Sequence, residues 1–275
     1  MSRAKIRRKG ASHGIQRHGG SIIHKVALAV LVLMWFPMLT LVILSFSGDG
    51  LLAFPPATFS AQWYVEVFTS EQAISSLSNT VKVALAATPI AMVLGMLTVI
   101  GIDRYEFTGK NAVLLLIITP LLIPAVVGAL AVFQVVESLR LQGFWPVVAV
   151  HVLKTLPFAT LVLLETFSNF DESLEKAAMD LGASEIKTFG TVTIPNMANG
   201  IVAAGLLAFT FSFNEFIFTY FVRSSGMMTL PVYLWNKTVY GLTPAINAIS
   251  VIFLFVAMLV VALVVSVSSV RKAAA

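Results

Sequence analysis

The sequence predicts an all-α membrane protein of six transmembrane helices with both termini in the cytoplasm. Three observations predict it. Of 275 residues, 58% are hydrophobic and only 11% charged, whereas soluble domains average about 25% charged; the mean hydropathy is +0.91. A charge deficit of that size means that lipid, not water, covers most of the surface. Six apolar runs, at 26–46, 79–101, 112–136, 144–167, 199–222 and 245–270, are each long enough to cross a hydrocarbon core of about 30 Å. Lys and Arg also alternate between the connecting segments, as the positive-inside bias requires.

The first segment, 1–25, is a basic arm. Its first twenty residues hold Arg3, Lys5, Arg7, Arg8, Lys9 and Arg17 and no acid. The apolar run that follows is too long for the core of a cleaved leader and lacks a small-residue cleavage site. The arm therefore reads as a cytoplasmic anchor for the first span rather than a nucleic-acid patch. With the N-terminus inside, the inner segments add Lys25, Arg104, Lys110, Lys176, Lys187, Arg271 and Lys272, thirteen cations in all. The outer segments hold three, Arg140, Arg223 and Lys237. This places the 271–275 tail in the cytoplasm, with three outer connections and two inner ones. The chain has no cysteine, which excludes disulfides and thiolate metal sites; no metal site is expected.

Two outer stretches are aromatic. Phe59-Ser60-Ala61-Gln62-Trp63-Tyr64 precedes the second span, and Thr229, Pro231, Tyr233 and Trp235 follow the fifth. Trp63, Tyr64, Tyr233 and Trp235 are candidates for docking an external partner, with an interfacial aromatic belt as the competing reading.

The spans contain Pro37, Pro89, Pro120, Pro124 and Pro157, which membrane helices tolerate. They also carry Lys82, Gln134, His151, Lys154 and Glu215. A charge at the bilayer centre costs at least about 2.5–3.5 kcal/mol, so such residues are functional candidates by default. Glu215, beside Asn214, is the deepest acid. It either faces a solute pathway or makes an inter-helix contact, with Lys154 as the candidate partner. His151, Gln134 and Asn214 are candidate pathway-lining groups on the same footing as structural hydrogen-bonding ones.

The inner loop at 169–198 is long and charged. Asp171 is placed to cap a helix, with Glu172 and Glu175 in its first turn. Leu174, Ala177, Ala178 and Leu181 recur at helical spacing, and Gly182 ends or bends the helix. Ser184 caps a second piece with Ile186 and Phe189 on its apolar face, and Pro195 closes it. Two short helices at an angle, small at the joint and charged at the rim, suit a plug that seats in a cytoplasmic partner. Five acids to two bases argue against resting on the anionic inner leaflet.

The stretch Ala177-Ala178, Gly182 and Val192-Thr193-Ile194-Pro195 resembles the EAA signature of permease subunits of binding-protein-dependent ABC importers. One position departs: Lys176 stands where the family carries Glu, with Glu175 one place earlier. Glu175 or Asp180 is the candidate to supply the acid, unless the partner differs reciprocally. The Phe-Ser-x-x-Trp-Tyr run, Arg104-Tyr105-x-Phe-x-Gly109-Lys110 and Leu174 to Ser184 are similar to the polyamine (spermidine/putrescine) permease group, C-type subunit. The resemblance covers most of the chain. It implies the type I ABC importer permease fold and a bacterial inner-membrane location. It implies a coupling loop in which Glu175, Lys176, Ala177, Ala178, Asp180, Leu181, Gly182, Ala183, Ser184, Ile194 and Pro195 meet the ATPase. The implied partners are two ATP-binding subunits, a second related permease subunit, a periplasmic substrate-binding protein and membrane lipid, but not nucleic acid. No cofactor is expected on this chain; ATP and Mg²⁺ belong to the ATPase subunits.

The sequence holds no His-Glu-x-x-His, no Gly-x-Ser-x-Gly, no carboxylate pair within spans and no Gly-rich phosphate loop. An enzyme is not expected, and energy must come from a separate subunit. The expected solute is a polyamine or related amine; the alternatives are a sugar, phosphonate, thiamine or iron. A secondary transporter driven by an ion gradient is the remaining alternative. It is disfavoured by the lack of an internal repeat between the two halves.

Overall fold

The computed structural model describes residues 16–50, 53–241 and 243–274, and side chains within 24–239 and 243–266. The first fifteen residues of the basic arm and the last of the tail lie outside the described residues. In chain order the helices are α1 (Gln16–Leu44), α2 (Gln62–Thr69), α3 (Glu71–Arg104), α4 (Lys110–Leu122), α5 (Ala125–Ser138), α6 (Phe144–Ser168), α7 (Ser173–Asp180) and α8 (Glu185–Thr188). A π-helical turn (Phe189–Thr193) leads into α9 (Ile194–Asn196), followed by α10 (Ala198–Phe213), α11 (Ile217–Val222), α12 (Leu230–Tyr240) and α13 (Pro244–Ala274). There is no strand among the described residues beyond one isolated bridge, Ser47 to Phe59.

Four helical stretches are long and apolar enough to cross a membrane: His24–Leu44, Glu71–Arg104, Phe144–Ser168 and Pro244–Ser266. There are six if two bent pairs, Lys110–Leu122 with Ala125–Ser138 and Glu185–Asn196 with Ala198–Phe213 (73°), are each counted as one span. The all-α architecture expected from hydropathy is therefore the one adopted, with two differences. The span expected at 112–136 is two helices, α4 and α5, bent by 107°. The cause is Pro124, whose ring forces Ile123 into extended geometry (ψ 129°) and ends α4. The span expected at 199–222 is broken at 214–216. There the helix stops at Phe213 and restarts at Ile217, with the Glu215 carboxylate accepting the Phe218 amide at 2.9 Å. A side chain thus replaces the lost helical acceptor, as membrane-embedded backbone requires.

The centre is made by α3, α6 and α10 packed on one another. On α3 the facing residues are small, Ala84, Ala87, Ala91 and Gly95, and all are buried. Lipid tails are as apolar as leucine, so membrane helices associate through close packing rather than hydrophobic exclusion, and small residues permit it. At Gly95 an added Cβ would lie 3.2 Å from the Thr160 hydroxyl and 3.4 Å from the Thr160 amide of α6. At Gly200 the first turn of α10 lies directly on Thr166 of α6, leaving no room for a methyl group. By contrast α1 lies against α13 with its apolar side chains outward; Leu33 is 72% exposed.

Side-chain contacts sort the connections onto two faces. Arg104, Glu175 and Thr193 meet at one end, which we call the plug face. Asn79 and Thr80 meet the 226–230 segment at the opposite end. The loop expected at 47–78 is largely structured, holding α2 and the start of α3.

Gly200→Ala is expected to destabilise the purified protein by about 1–3 kcal/mol, as overpacking against Thr166 forces the helices apart. Gly205→Ala, with open space around it, is expected to leave stability unchanged or raise it by up to about 1 kcal/mol through helix propensity. Thermal unfolding of both variants in detergent checks the contrast.

Candidate functional site

Residues 169–198 fold by local rules. The Asp171 carboxylate accepts the Ser173 amide at 2.9 Å and opens α7. Hydrogen bonds from the Ser173 hydroxyl and amide hold its carboxyl below the usual range. The cap is therefore intact above about pH 4 and is lost only as pH falls further. At the other end of α7, Gly182 is left-handed (φ 89°). Its amide donates to the Met179 carbonyl at 2.9 Å, and the Ala183 amide donates to the Ala178 carbonyl at 3.1 Å. Together these bonds make a Schellman motif with Gly182 at the position that favours glycine. Ser184 then caps α8, accepting the Lys187 amide at 3.4 Å. Pro195 has no amide to donate, and in the widened turn before it the Ile194 amide reaches back to the Phe189 carbonyl.

This construction turns two aliphatic side chains outward. Leu181 is 90% exposed and Ile186 87% exposed, one on each side of the glycine joint. Ala177, Asp180, Ser184 and Pro195 are exposed as well, and Ala178, Ala183 and Ile194 are half-buried. Lys176 points to solvent and pairs with Glu172 at 3.4 Å; such an exposed i,i+4 pair contributes only about 0.3–0.5 kcal/mol.

Glu175 behaves differently. It is the one buried residue of α7, at 8% exposure. Its Oε1 accepts from the Arg104 guanidinium at the end of α3 and from the Thr193 hydroxyl in the π-helical turn. Arg104 also lies 5.9 Å above the Phe189 ring. The acid beside the departing Lys176 is thus engaged within the chain. Sequence reasoning singled out Glu175 but missed both of its partners. The one available signal was a lone Arg104 at the head of a tight polar turn.

Beside this face runs a groove of about 680 Å³ between the ends of α6, α7 and α10, lined by Glu165, Asn169, Asp171, Asn196 and Asn199 among others.

Within the spans the polar candidates separate. His151 is buried and hydrogen-bonded on both ring nitrogens, Nδ1 to Ser212 at 2.8 Å and Nε2 to Thr219 at 2.7 Å. It ties α6 to α10 and α11 across the break. Glu215 is also buried and caps α11. Lys154 is half-buried, with its ammonium 5.5 Å from the Phe218 ring. It does not form an ion pair with Glu215 within 4 Å. Asn214 and Gln134 are exposed, Asn214 donating to the Thr210 carbonyl at 2.9 Å.

On the opposite face the aromatics divide. Trp63 donates its indole N–H to the Ser47 carbonyl at 2.6 Å, and the Tyr64 hydroxyl meets Ser45 at 2.7 Å. Tyr233 is buried with Val67, Ala73, Leu230, Ala248 and Ile249. Trp235 is 48% exposed and stands against Phe216, ring centroids 5.4 Å apart. Three of the four candidates therefore pin the surface together, and Trp235 presents itself outward.

Residues 87–273 match the family described as binding-protein-dependent transport system inner membrane component. The chain is 31% identical over 233 residues to the spermidine/putrescine transport system permease protein PotC of Haemophilus influenzae, covering 84% of this chain and 90% of that one. It is 30% identical over 229 residues to the putrescine transport system permease protein PotI of Escherichia coli, covering 80% and 81%. In fold it is similar, with a TM-score of 0.69, to a chain in the crystal structure of a bacterial ABC transporter involved in the import of the acidic polysaccharide alginate. The match covers 96% of this chain and 99% of that one at 16% identity.

Gly182→Ala forces a Cβ into left-handed geometry at a cost of about 1–2 kcal/mol. Amide exchange at residues 182–183 is accordingly expected to speed up roughly five- to thirtyfold. Gly182→Asn, which tolerates that geometry, is expected to recover most of the protection. Hydrogen-exchange mass spectrometry of the loop checks both.

Proposed function

Since the chain belongs to the family of binding-protein-dependent transport system inner membrane components and is a permease subunit of an ABC importer, we propose that it forms part of a path for polyamines across a bacterial inner membrane, driven by separate ATPase subunits. The observation that carries the energy-coupling reading is the plug: a rigidly capped joint presenting Leu181 and Ile186 to solvent on a face rich in charge. Two aliphatic side chains exposed on either side of a fixed joint and rimmed by charge suit a partner that covers both, and a capped joint supplies the fixed shape that a cleft can grip.

In this reading the plug face lies in the cytoplasm and the termini with it. Two ATP-binding subunits sit beneath this chain and a second, related permease subunit, and a periplasmic binding protein delivers solute to the opposite face. ATP and Mg²⁺ are bound by the ATPase subunits, and this chain needs no cofactor of its own. ATP-driven closure of the ATPase pair carries the plugs together, and the spans then open toward the periplasm. Glu175 is held by Arg104, so the charge offered to the ATPase comes from Lys176, Asp180 and Glu185 on the exposed surface.

The polyamine reading is supported by the relatives at 31% and 30% identity. The charges within the spans do not by themselves select a polycation. Lys82 is exposed, Lys154 half-buried, and Glu215 occupied as a cap. Selection in this account therefore rests mainly with the binding protein that delivers the solute.

Co-expressed with its ATPase, permease and binding-protein partners in cells lacking polyamine uptake, the chain is expected to support accumulation of radiolabelled putrescine. Accumulation should continue when the proton gradient is collapsed and ATP is maintained. Loss of uptake on collapsing the gradient would instead indicate a secondary transporter. Uptake of a sugar, phosphonate, thiamine or iron in place of putrescine would overturn the solute assignment.

A further inference from the structure

α7 is joined to the membrane core through a polar contact; the apolar contact of the plug comes later in the chain, from Phe189. Leu174 is 43% exposed, Met179 38% and Leu181 90%; the single buried residue of α7 is Glu175. Its Oε1 gathers Arg104, 71 residues away in the last turn of α3, and Thr193, 18 residues away at the entry to α10. Phe189, beneath the Arg104 guanidinium, packs on the cluster of Val99, Leu163, Phe167, Met197 and Ala204. A charge-assisted contact shielded on one side by an aromatic ring is stronger than an exposed ion pair.

The helix that Arg104 terminates runs from face to face. α3 has 34 residues, a rod of roughly 50 Å at 1.5 Å per residue. At its far end the Thr80 hydroxyl accepts the Leu230 amide at 2.7 Å, and Asn79 donates to the Met228 carbonyl at 3.0 Å. Those bonds fix the turn that begins α12, the helix bearing Trp235. A displacement of Glu175 therefore has a continuous physical route to the opposite face: through Arg104, along α3, and through Asn79 and Thr80 into the 226–230 segment.

We propose that Arg104 is a positioning residue for transport, and that the Arg104–Glu175–Thr193 contact is the link through which movement of the plug reaches α3 and the opposite face. The proposal rests on the coupling reading of the plug given above. It adds which helix receives the motion and through which atoms.

The chain has no cysteine, so single introduced cysteines report cleanly. Two reporters suffice. Lys187→Cys lies exposed on α8, and Gly101→Cys lies on α3 one turn before Arg104, in open space. Maleimide reactivity is measured in the complex assembled with its ATPase subunits, without nucleotide and with ATP plus orthovanadate. With the native link, both reporters are expected to change reactivity about fivefold or more between states. In Arg104→Gln, Glu175→Gln and the double variant, Lys187→Cys keeps its change and Gly101→Cys loses it, the double variant being no worse than either single one. Arg104→Lys, which retains the charge, preserves part of the Gly101→Cys response.

A Gly101→Cys response that survives in the Gln variants, or is absent with the native link, overturns the proposal. Loss of both responses in the variants overturns it as well, because the contact then only maintains the fold of α7. Failure of Lys187→Cys to respond with the native link sinks the coupling reading itself, a distinct result.

Discussion

The carboxylate of Glu175 accepts two donors, one from the end of α3 and one from the π-helical turn, and the orientation of α7 on the plug face follows from that contact. A helix of eight residues has no stability of its own in water, because nucleation consumes more than so few hydrogen bonds return. α7 also lacks the usual remedy, a buried apolar face, since Leu174 and Met179 remain 43% and 38% exposed. Its ends are set by the Asp171 bond and the Schellman motif at Gly182, and the one acid turned inward, satisfied by the Arg104 guanidinium and the Thr193 hydroxyl, sets which side meets the bundle. With Glu175 fixed, helical geometry sends Lys176 to solvent, and the Schellman motif at Gly182 sets the angle at which Ile186 emerges. Leu181 and Ile186 are thereby free to face a partner.

The membrane portion obeys a different constraint. Among lipid tails the helices gain nothing from excluding water, so α3, α6 and α10 hold together through close approach at Ala84, Ala87, Ala91, Gly95 and Gly200. Where a helix is interrupted, each freed backbone group must find a partner. Glu215 does this at the break after α10, and His151 braces the same break by bonding Ser212 before it and Thr219 after it. Both polar residues support the break between α10 and α11.

Features governed by short-range chemistry were legible in the sequence. Apolar runs located the spans. Asp171, Ser184 and Gly182 located the ends of the plug helices, because caps and left-handed glycines act within a few residues of themselves. The breaks were harder to read. Pro124 ends a helix, while Pro37, Pro89, Pro120 and Pro157 lie inside helices that continue, and the residue type alone does not separate the two cases. The partners of Glu175 and His151 were not legible, since they lie 18 to 71 residues away in sequence and no periodicity connects them. The aromatic candidates Trp63, Tyr64 and Tyr233 look alike in sequence to the exposed Trp235, and only packing separates them.

The central claim is that the exposed aliphatic pair on the capped plug is the seat of the ATPase subunit. A photo-crosslinking amino acid at Ile186, in membranes where the chain is co-expressed with its ATPase, tests this most directly. The account predicts a covalent adduct of this chain with the ATPase subunit from position 186, and none from Leu139, which is equally apolar and 62% exposed at the other face. Adducts from Leu139 as abundant as those from Ile186, or only lipid adducts at Ile186, would contradict it.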